Sequence, residues 1–302
     1  MKAISLTIAL LIGLVLNNSL NAQGTRKPAS AGREEFIEVE KNVKLHVTDL
    51  GEGQPIVLIH GWPLSDAMYE YQYQYLVQKS FRVIGITLRG YGKSDKPYGK
   101  YDFDVFSDDI KVVLEKLKIK NAVLGGFSMG GTVVTHYVAK YKAAHVAKLA
   151  LFGTASPSWK QQSDFPYGVS DQDAEGLIHL SRTNRPQVLE NFGKGFAATE
   201  DGISKGLANW LEGINLEASP YAATQSIIAL RDTDLRPQLA NITIPVAIFH
   251  GVKDKLNSFD LAEQMHKGLK SSYIVRFENS GHALFIEELD KFNTELEKFA
   301  RQ

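Results

Sequence analysis

The chain has 302 residues, of which 44% are hydrophobic and 23% charged, a composition typical of one large folded domain or two small ones. Lysine plus arginine and aspartate plus glutamate number 34 each, so the charge balance gives no attraction toward nucleic acid or an acidic membrane surface. The chain has no cysteine, which excludes disulfides, a thiolate nucleophile and any cysteine-ligated metal.

Residues 1–22 are predicted to be a secretory signal peptide. Lys2 supplies the positively charged N-terminal region of such a peptide, and the apolar stretch 3–16 is shorter than a membrane-spanning helix requires. Cleavage after Ala22, or alternatively after Ser19, predicts a periplasmic or secreted protein with no membrane association, whereas an uncleaved membrane anchor is the other interpretation. The small polar residues 23–34 predict a flexible linker.

From residue 35 onward the hydrophobic pattern predicts one α/β domain, 35–302. Apolar residues first alternate with polar ones on both sides of Lys41-Asn42, which predicts a β-hairpin. Short apolar strands then alternate with segments of helical spacing, so we expect a mostly parallel central sheet with helices on both faces. The predicted strands are 56–59, 83–87, 122–124, 146–152, 246–249 and 273–277, and the predicted helices are 66–79, 103–117, 130–141, 260–269 and 289–300.

Residues 154–241 interrupt this alternation. The segment is helix-rich, has no obvious strand and carries many aromatic residues. We interpret it as a helical cap inserted over the carboxyl edge of the sheet.

The pentapeptide Gly126-Phe127-Ser128-Met129-Gly130 lies between a predicted strand and a predicted helix. G-x-S-x-G in this setting is the strand–turn–helix elbow that holds a serine in a strained conformation with its hydroxyl exposed. Glycines flank the serine because the turn brings backbone segments too close for a side chain. Ser128 is therefore the candidate nucleophile.

A serine hydroxyl needs a base to remove its proton, and the base needs an acid to orient it. Asp254 and His282 each follow a predicted strand, where catalytic groups gather in open α/β sheets. The chain order Ser128, Asp254, His282 matches the nucleophile, acid and histidine order of α/β-hydrolases. Taken singly, each residue has a plainer interpretation as a solvated turn histidine or a helix-capping aspartate.

The chain has eight histidines, and the other seven receive structural or surface roles. On the hairpin, His46 is expected to point outward. His60 and His250 are followed by glycine and are expected to brace loops. The remaining four are predicted to be structural (His136 and His145) or exposed (His179 and His266).

Attack on a carbonyl places negative charge on its oxygen, so hydrogen-bond donors must already face that position. We expect the backbone N–H of Met129, directly after the nucleophile, to be one donor. The loop after the strand 56–59 should provide the second, and the N–H of Trp62 is the candidate.

Six segments in this order resemble the α/β-hydrolase superfamily, and more narrowly its cofactor-free haloperoxidase, arylesterase and perhydrolase branch. They are HGWPLSDAMYEYQ (60–72), LRGYGKSDKP (88–97), GGFSMGG (125–131), VAKLALFG (146–153), HGVKD (250–254) and SGHALFIEE (280–288). The resemblance implies the five site roles given above. It also implies hydrolysis of small esters, peracid formation from carboxylic acids and hydrogen peroxide, and no haem, metal or other cofactor.

The sequence departs from that branch at three places. Thr87-Leu88 stands where an Asp-Arg pair is usual, Asn257-Ser258 where a proline is common, and Leu289 where a proline often follows the two glutamates. The first two departures lie near the expected pocket, so they put the substrate in question rather than the nucleophile, acid and base.

The sequence thus predicts a serine hydrolase that acts on a small ester or carboxylic acid, with no nucleic-acid partner and with homo-oligomer formation left open. A carbon–carbon bond hydrolase or lyase on the same residues, and a receptor that binds without turnover, are the alternatives, because fold and motif do not fix function. Leu256 and Phe285 indicate either a hydrophobic pocket or plain packing between cap and sheet.

Overall fold

The structure, a computed structural model, describes residues 32–302, so the predicted signal peptide and most of the predicted linker lie outside the described residues. Within that range the strands are β1 Arg33–Glu40, β2 Val43–Leu50, β3 Gln54–Ile59, β4 Phe81–Ile86, β5 Ala122–Phe127, β6 Val146–Phe152, β7 Val246–Gly251 and β8 Ser272–Phe277. The helices are α1 Glu70–Gln78, α2 Phe103–Lys116, α3 Met129–Tyr141, α4 Asp171–Thr183, α5 Arg185–Phe196, α6 Lys205–Leu216, α7 Pro220–Asp232, α8 Phe259–Gly268, α9 Leu284–Glu287 and α10 Leu289–Arg301.

All of these strands form a single sheet in the order β1-β2-β4-β3-β5-β6-β7-β8. The β1–β2 hairpin is antiparallel, with Ile37 opposite Leu45, and β2 also runs antiparallel to β4. Every later pairing is parallel. The expected fold, a mostly parallel sheet that begins with a hairpin, is confirmed.

Both faces of the sheet are buried. Successive strand residues point to opposite sides, so apolar residues in a row supply both faces. Val57 packs on one face with apolar residues of α2, α3 and α8. Its neighbours Ile56 and Leu58 pack on the other face with residues of α1 and α10. The sheet therefore lies between two apolar cores, one on each face.

The predicted cap is helical and consists of α4 to α7, with only isolated β-bridges such as Ser158 to Asp234. Each of these helices begins at a residue whose side chain accepts a hydrogen bond from a backbone N–H of the first turn: Ser170, Asn184, Ser204 and Ser219. Across residues 32–302, no helix combines the length and the apolar character needed to cross a bilayer.

His46 corrects one expectation from the sequence, because its side chain is buried and does not point outward. Its Nδ1 lies 3.2 Å from a carboxylate oxygen of Asp66, which belongs to the 3₁₀ turn before α1. This hydrogen bond raises the pKa of His46, although burial opposes the shift. Burial would raise the pKa of Asp66, but hydrogen bonds from His46, Thr48 and Thr87 lower it to about 2.

Candidate active site

The candidate residues meet at the carboxyl edge of the sheet, although they are far apart in the sequence. Ser128 follows β5, Asp254 follows β7, His282 follows β8, and Trp62 lies in the loop after β3. Parallel strands place their carboxyl ends at one edge, where open α/β sheets bind ligands. The topology therefore brings together the residues that the motifs singled out.

Ser128 is held in a strained turn between β5 and α3. Its backbone angles are φ 53° and ψ −117°, a conformation that residues with a side chain rarely adopt. The N–H of Ser128 donates to the carbonyl oxygen of Phe152 in β6 at 2.8 Å, which anchors the turn to the sheet. A methyl group on Gly126 would collide with the Gly130 carbonyl, and one on Gly130 with the His60 carbonyl, so both flanking positions require glycine.

Asp254 and His282 form a buried, hydrogen-bonded pair. The distance from His282 Nδ1 to Asp254 Oδ2 is 2.7 Å, and both side chains are almost wholly excluded from solvent. The second oxygen, Oδ1, accepts the N–H groups of Leu256 and Asn257, each at 2.9 Å. Burial opposes ionisation of Asp254, but the charge and hydrogen bond of His282, the nearby His250 and the N–H of Asn257 lower its pKa overall.

The other ring nitrogen of His282, Nε2, is buried and has no hydrogen-bond partner within residues 32–302. The hydroxyl oxygen of Ser128 instead accepts a long hydrogen bond, 3.4 Å, from the side-chain amide of Asn257. Ser128 and His282 both line the same cavity. The hydrogen bond between Asp254 and His282 is thus formed, whereas none joins His282 to Ser128. Catalytic hydrogen bonds are often long or absent before substrate binds.

The two predicted backbone donors border the same cavity. Trp62 and Met129 both line it, beside Ser128. Neither residue's backbone N–H donates a hydrogen bond to another residue of the described chain. The indole N–H of Trp62 donates to the carbonyl oxygen of Ala223 in α7 at 3.0 Å and so ties this loop to the cap. Both residues therefore border the cavity and have main-chain N–H groups without an acceptor among the described residues.

The cavity has a volume of about 310 Å³ and lies between the sheet edge and the cap. Its wall is mostly apolar, and Trp159, Phe192 and Leu256 contribute to it. Phe285 does not line it, because this ring is fully buried in the core. Leu256 therefore belongs to the predicted pocket, whereas Phe285 follows the packing interpretation.

Two further histidines lie near the site and act as braces. His60 Nε2 accepts the N–H of Leu88 at 3.0 Å, so its Nδ1–H donates to the Gly61 carbonyl oxygen, and burial lowers its pKa to about 4. His250 Nε2 donates to the Asn257 carbonyl oxygen at 2.9 Å, and burial also lowers the pKa of His250. Within 32–302, no three His, Asp or Glu side chains converge as a metal-binding group.

Two residues of the site were not predicted in these roles. Asn257, noted in the sequence only as a departure from a proline-containing segment, contacts the nucleophile. Glu287 accepts the N–H of Gly281, next to the histidine, at 2.7 Å and the N–H of Ala198, beyond α5, at 2.8 Å. Glu287 therefore joins the histidine loop to the cap, and burial raises its pKa.

A mostly parallel sheet, a strained serine at a strand–helix elbow and an acid–histidine pair on later strand ends define the class of α/β hydrolases. The family model for the alpha/beta hydrolase fold matches residues 54–289. The chain belongs to this family.

Similar proteins include "AB hydrolase superfamily protein YisY" of Bacillus subtilis, 44% identical over 88% of this chain and 98% of that protein. Among solved structures, an esterase from Exiguobacterium antarcticum is 39% identical with a TM-score of 0.87, covering 89% of this chain and 100% of its own. A bromoperoxidase from Bacillus anthracis is 32% identical with the same TM-score and the same coverage of both chains.

Proposed function

We propose that this protein is a serine hydrolase that cleaves small carboxylic esters through an acyl-enzyme on Ser128. The observation that carries the proposal is the strained serine in the lining of an apolar cavity, with the buried Asp254–His282 pair at the same site. The similarity to an esterase supports the same reaction class.

In the acylation step, His282 Nε2 removes the hydroxyl proton of Ser128 while Oγ attacks the ester carbonyl carbon. Asp254 holds Nδ1–H of the ring, so Nε2 carries the lone pair that can accept the serine proton. The backbone N–H groups of Trp62 and Met129 bind the oxygen that becomes negative. The alcohol leaves with the proton that His282 carries.

In the second step, water gives its proton to His282 and attacks the acyl carbon, which releases the carboxylic acid and restores Ser128. Hydrogen peroxide in place of water would release a peracid, which oxidises halide outside the protein. The similarity to a bromoperoxidase supports this as a side activity.

The cavity argues for a small acyl group. Its volume of about 310 Å³ is at the lower end of ligand pockets, and the wall is mostly apolar. Among the described residues, the charged side chains in the lining are Asp173 and Lys255, and both residues are exposed. We therefore expect uncharged esters with short acyl chains to be the best substrates.

The test combines p-nitrophenyl acetate turnover with fluorophosphonate labelling of the wild type and of Ser128→Ala. We expect a burst of p-nitrophenol and one label per chain in the wild type, and neither in the variant. Ser271→Ala, an exposed serine at the opposite, amino end of β8, is the matched control and should behave as wild type. Labelling that persists in Ser128→Ala would contradict the proposal.

A substrate panel then separates the alternatives. Esters of increasing acyl length, each with and without hydrogen peroxide, measure hydrolysis and perhydrolysis in one series. Diketones measure carbon–carbon bond cleavage. Turnover of diketones without turnover of esters would replace the proposed reaction by the carbon–carbon one, and tight binding without any turnover would favour a receptor.

A further inference from the structure

The loop between β7 and α8 carries Asn257, which bonds to three parts of the site at once. Its backbone N–H donates to Asp254 Oδ1 at 2.9 Å, and its backbone carbonyl oxygen accepts His250 Nε2–H at 2.9 Å. The residue is 3% exposed and lines the catalytic cavity. These two hydrogen bonds hold the main chain of Asn257 in place beside the cavity.

The orientation of the Asn257 amide follows from its partners. Nδ2 lies 2.8 Å from the Gly153 carbonyl oxygen, and a carbonyl can only accept, so the nitrogen must occupy this place. The second hydrogen of the same nitrogen is directed to Ser128 Oγ, at 3.4 Å. The amide is thus anchored by a good hydrogen bond while it offers a donor to the nucleophile's oxygen.

We propose that Asn257 is a third N–H donor of the active site, reserved for Oγ of Ser128, and that it promotes departure of this oxygen from the acyl-enzyme. The inference rests on the proposed esterase function and adds to it a group that assists deacylation. Trp62 and Met129 serve the carbonyl oxygen, whereas Asn257 serves the serine oxygen.

Asn257 acts on the tetrahedral intermediate of deacylation. Water has given a proton to His282 Nε2, and its oxygen is bonded to the acyl carbon, which therefore carries the water-derived hydroxyl, the former carbonyl oxygen as an oxyanion, and Oγ. The oxyanion re-forms the C=O bond as the C–Oγ bond breaks, the electron pair of that bond goes to Oγ, His282 returns its proton to Oγ, and the carboxylic acid is released. Asn257 donates a hydrogen bond to Oγ throughout and is not consumed.

Deacylation is the step that gains most from this donor. A donor is most effective where negative charge develops, and charge develops on Oγ when it leaves. During acylation, the same donor withdraws electron density from the attacking oxygen, so gain and loss offset each other. Loss of the donor should therefore slow deacylation selectively.

Asn257→Leu, which keeps the side-chain size, and Asn257→Ala provide the test, since both remove the amide and keep all main-chain bonds. Neither side chain carries a donor for Oγ. With p-nitrophenyl acetate, whose acylation is fast, we expect kcat and KM to fall together by about ten- to a hundredfold, the loss of one hydrogen bond to a charged group. The burst rate constant and kcat/KM should stay within about twofold of wild type.

Ser258→Ala is the matched control, because within residues 32–302 this neighbouring side chain bonds to Asp260 alone and does not line the cavity. It should leave the burst and kcat unchanged. An unchanged kcat in either folded Asn257 variant would overturn the inference, and so would a burst rate that falls in parallel with kcat. Wild-type protein with neither burst nor labelling would instead overturn the proposed function itself.

Discussion

Replacing Asp254 by asparagine should disable the base while leaving the fold intact. Oδ1 of Asp254 accepts two backbone N–H groups, so in Asp254→Asn the amide oxygen must stay at that position. The amide NH₂ then takes the place of Oδ2, which lies 2.7 Å from His282 Nδ1 in the wild type. Nδ1 must give up its proton to accept, so the ring proton moves to Nε2, where no proton can be taken from Ser128.

The magnitude follows from this change of tautomer. Trapping the catalytic histidine in its wrong tautomer costs about 10⁴-fold in kcat in triad proteases, which corresponds to about 5.4 kcal/mol of transition-state stabilisation. The two loop N–H groups keep their acceptor in the variant, so we expect a change in the free energy of unfolding of no more than about 1–3 kcal/mol.

The assay is steady-state hydrolysis of p-nitrophenyl acetate near pH 8, together with urea unfolding monitored by circular dichroism. Asp260→Asn, an exposed aspartate in the first turn of α8, is the control and should retain full activity. A folded Asp254→Asn protein that keeps kcat within tenfold of wild type would refute the tautomer argument and would make His250, 3.5 Å from the same carboxylate, the next candidate partner.

Three further predictions concern regions outside the reacting groups. Glu287→Gln should lower the free energy of unfolding in urea by about 1–3 kcal/mol, because an amide oxygen can serve only one of the N–H groups of Ala198 and Gly281; unchanged stability would contradict this. His46 has a raised pKa, so the stability gained from its protonation is complete below about pH 6.5 and is lost as pH rises through the pKa of the folded state. His46→Gln should therefore flatten the pH dependence of the urea midpoint above that pH, and an equal slope would refute the role of the His46–Asp66 pair. Export predicts mature protein in the periplasm or medium that starts at Gln23 or Leu20, whereas Edman sequencing that finds Met1 would exclude cleavage.

The sequence predicted the strands well because the sheet is buried on both faces. A strand covered on both sides is a short apolar run, which stands out between polar turns, and the prediction for β6, 146–152, agrees with the structure at both ends. β5 runs on to Phe127, three residues beyond its predicted end, because Gly125, Gly126 and Phe127 continue to pair with β6. Glycines weaken a strand prediction, and pairing with a distant strand is not visible in the sequence.

The error at His46 has a different physical cause. Alternation on an edge hairpin predicts one face toward water, but β2 also pairs with β4, and the turn at Asp66 covers His46. The covering carboxylate lies 20 residues along the chain, and the Ser94 hydroxyl that accepts the His46 N–H lies 48 residues away. A local pattern carries no information about either partner, so a polar residue that becomes buried in this way looks exposed in the sequence.

The site shows the same limit at atomic scale. Ser128, Asp254 and His282 could be predicted because each is tied to a strand end, and strand ends follow from hydrophobic runs. The role of Asn257 could not be predicted, because it depends on the conformation of one loop. The backbone N–H groups of Leu256 and Asn257 bind the same carboxylate oxygen. Leu256 nevertheless lines the cavity with an apolar side chain, whereas Asn257 contacts the nucleophile with its amide. A shift of one residue in that loop would exchange the two side chains. The position of a catalytic acid can thus be taken from periodicity, whereas the hydrogen bonds that its loop offers to the serine require coordinates.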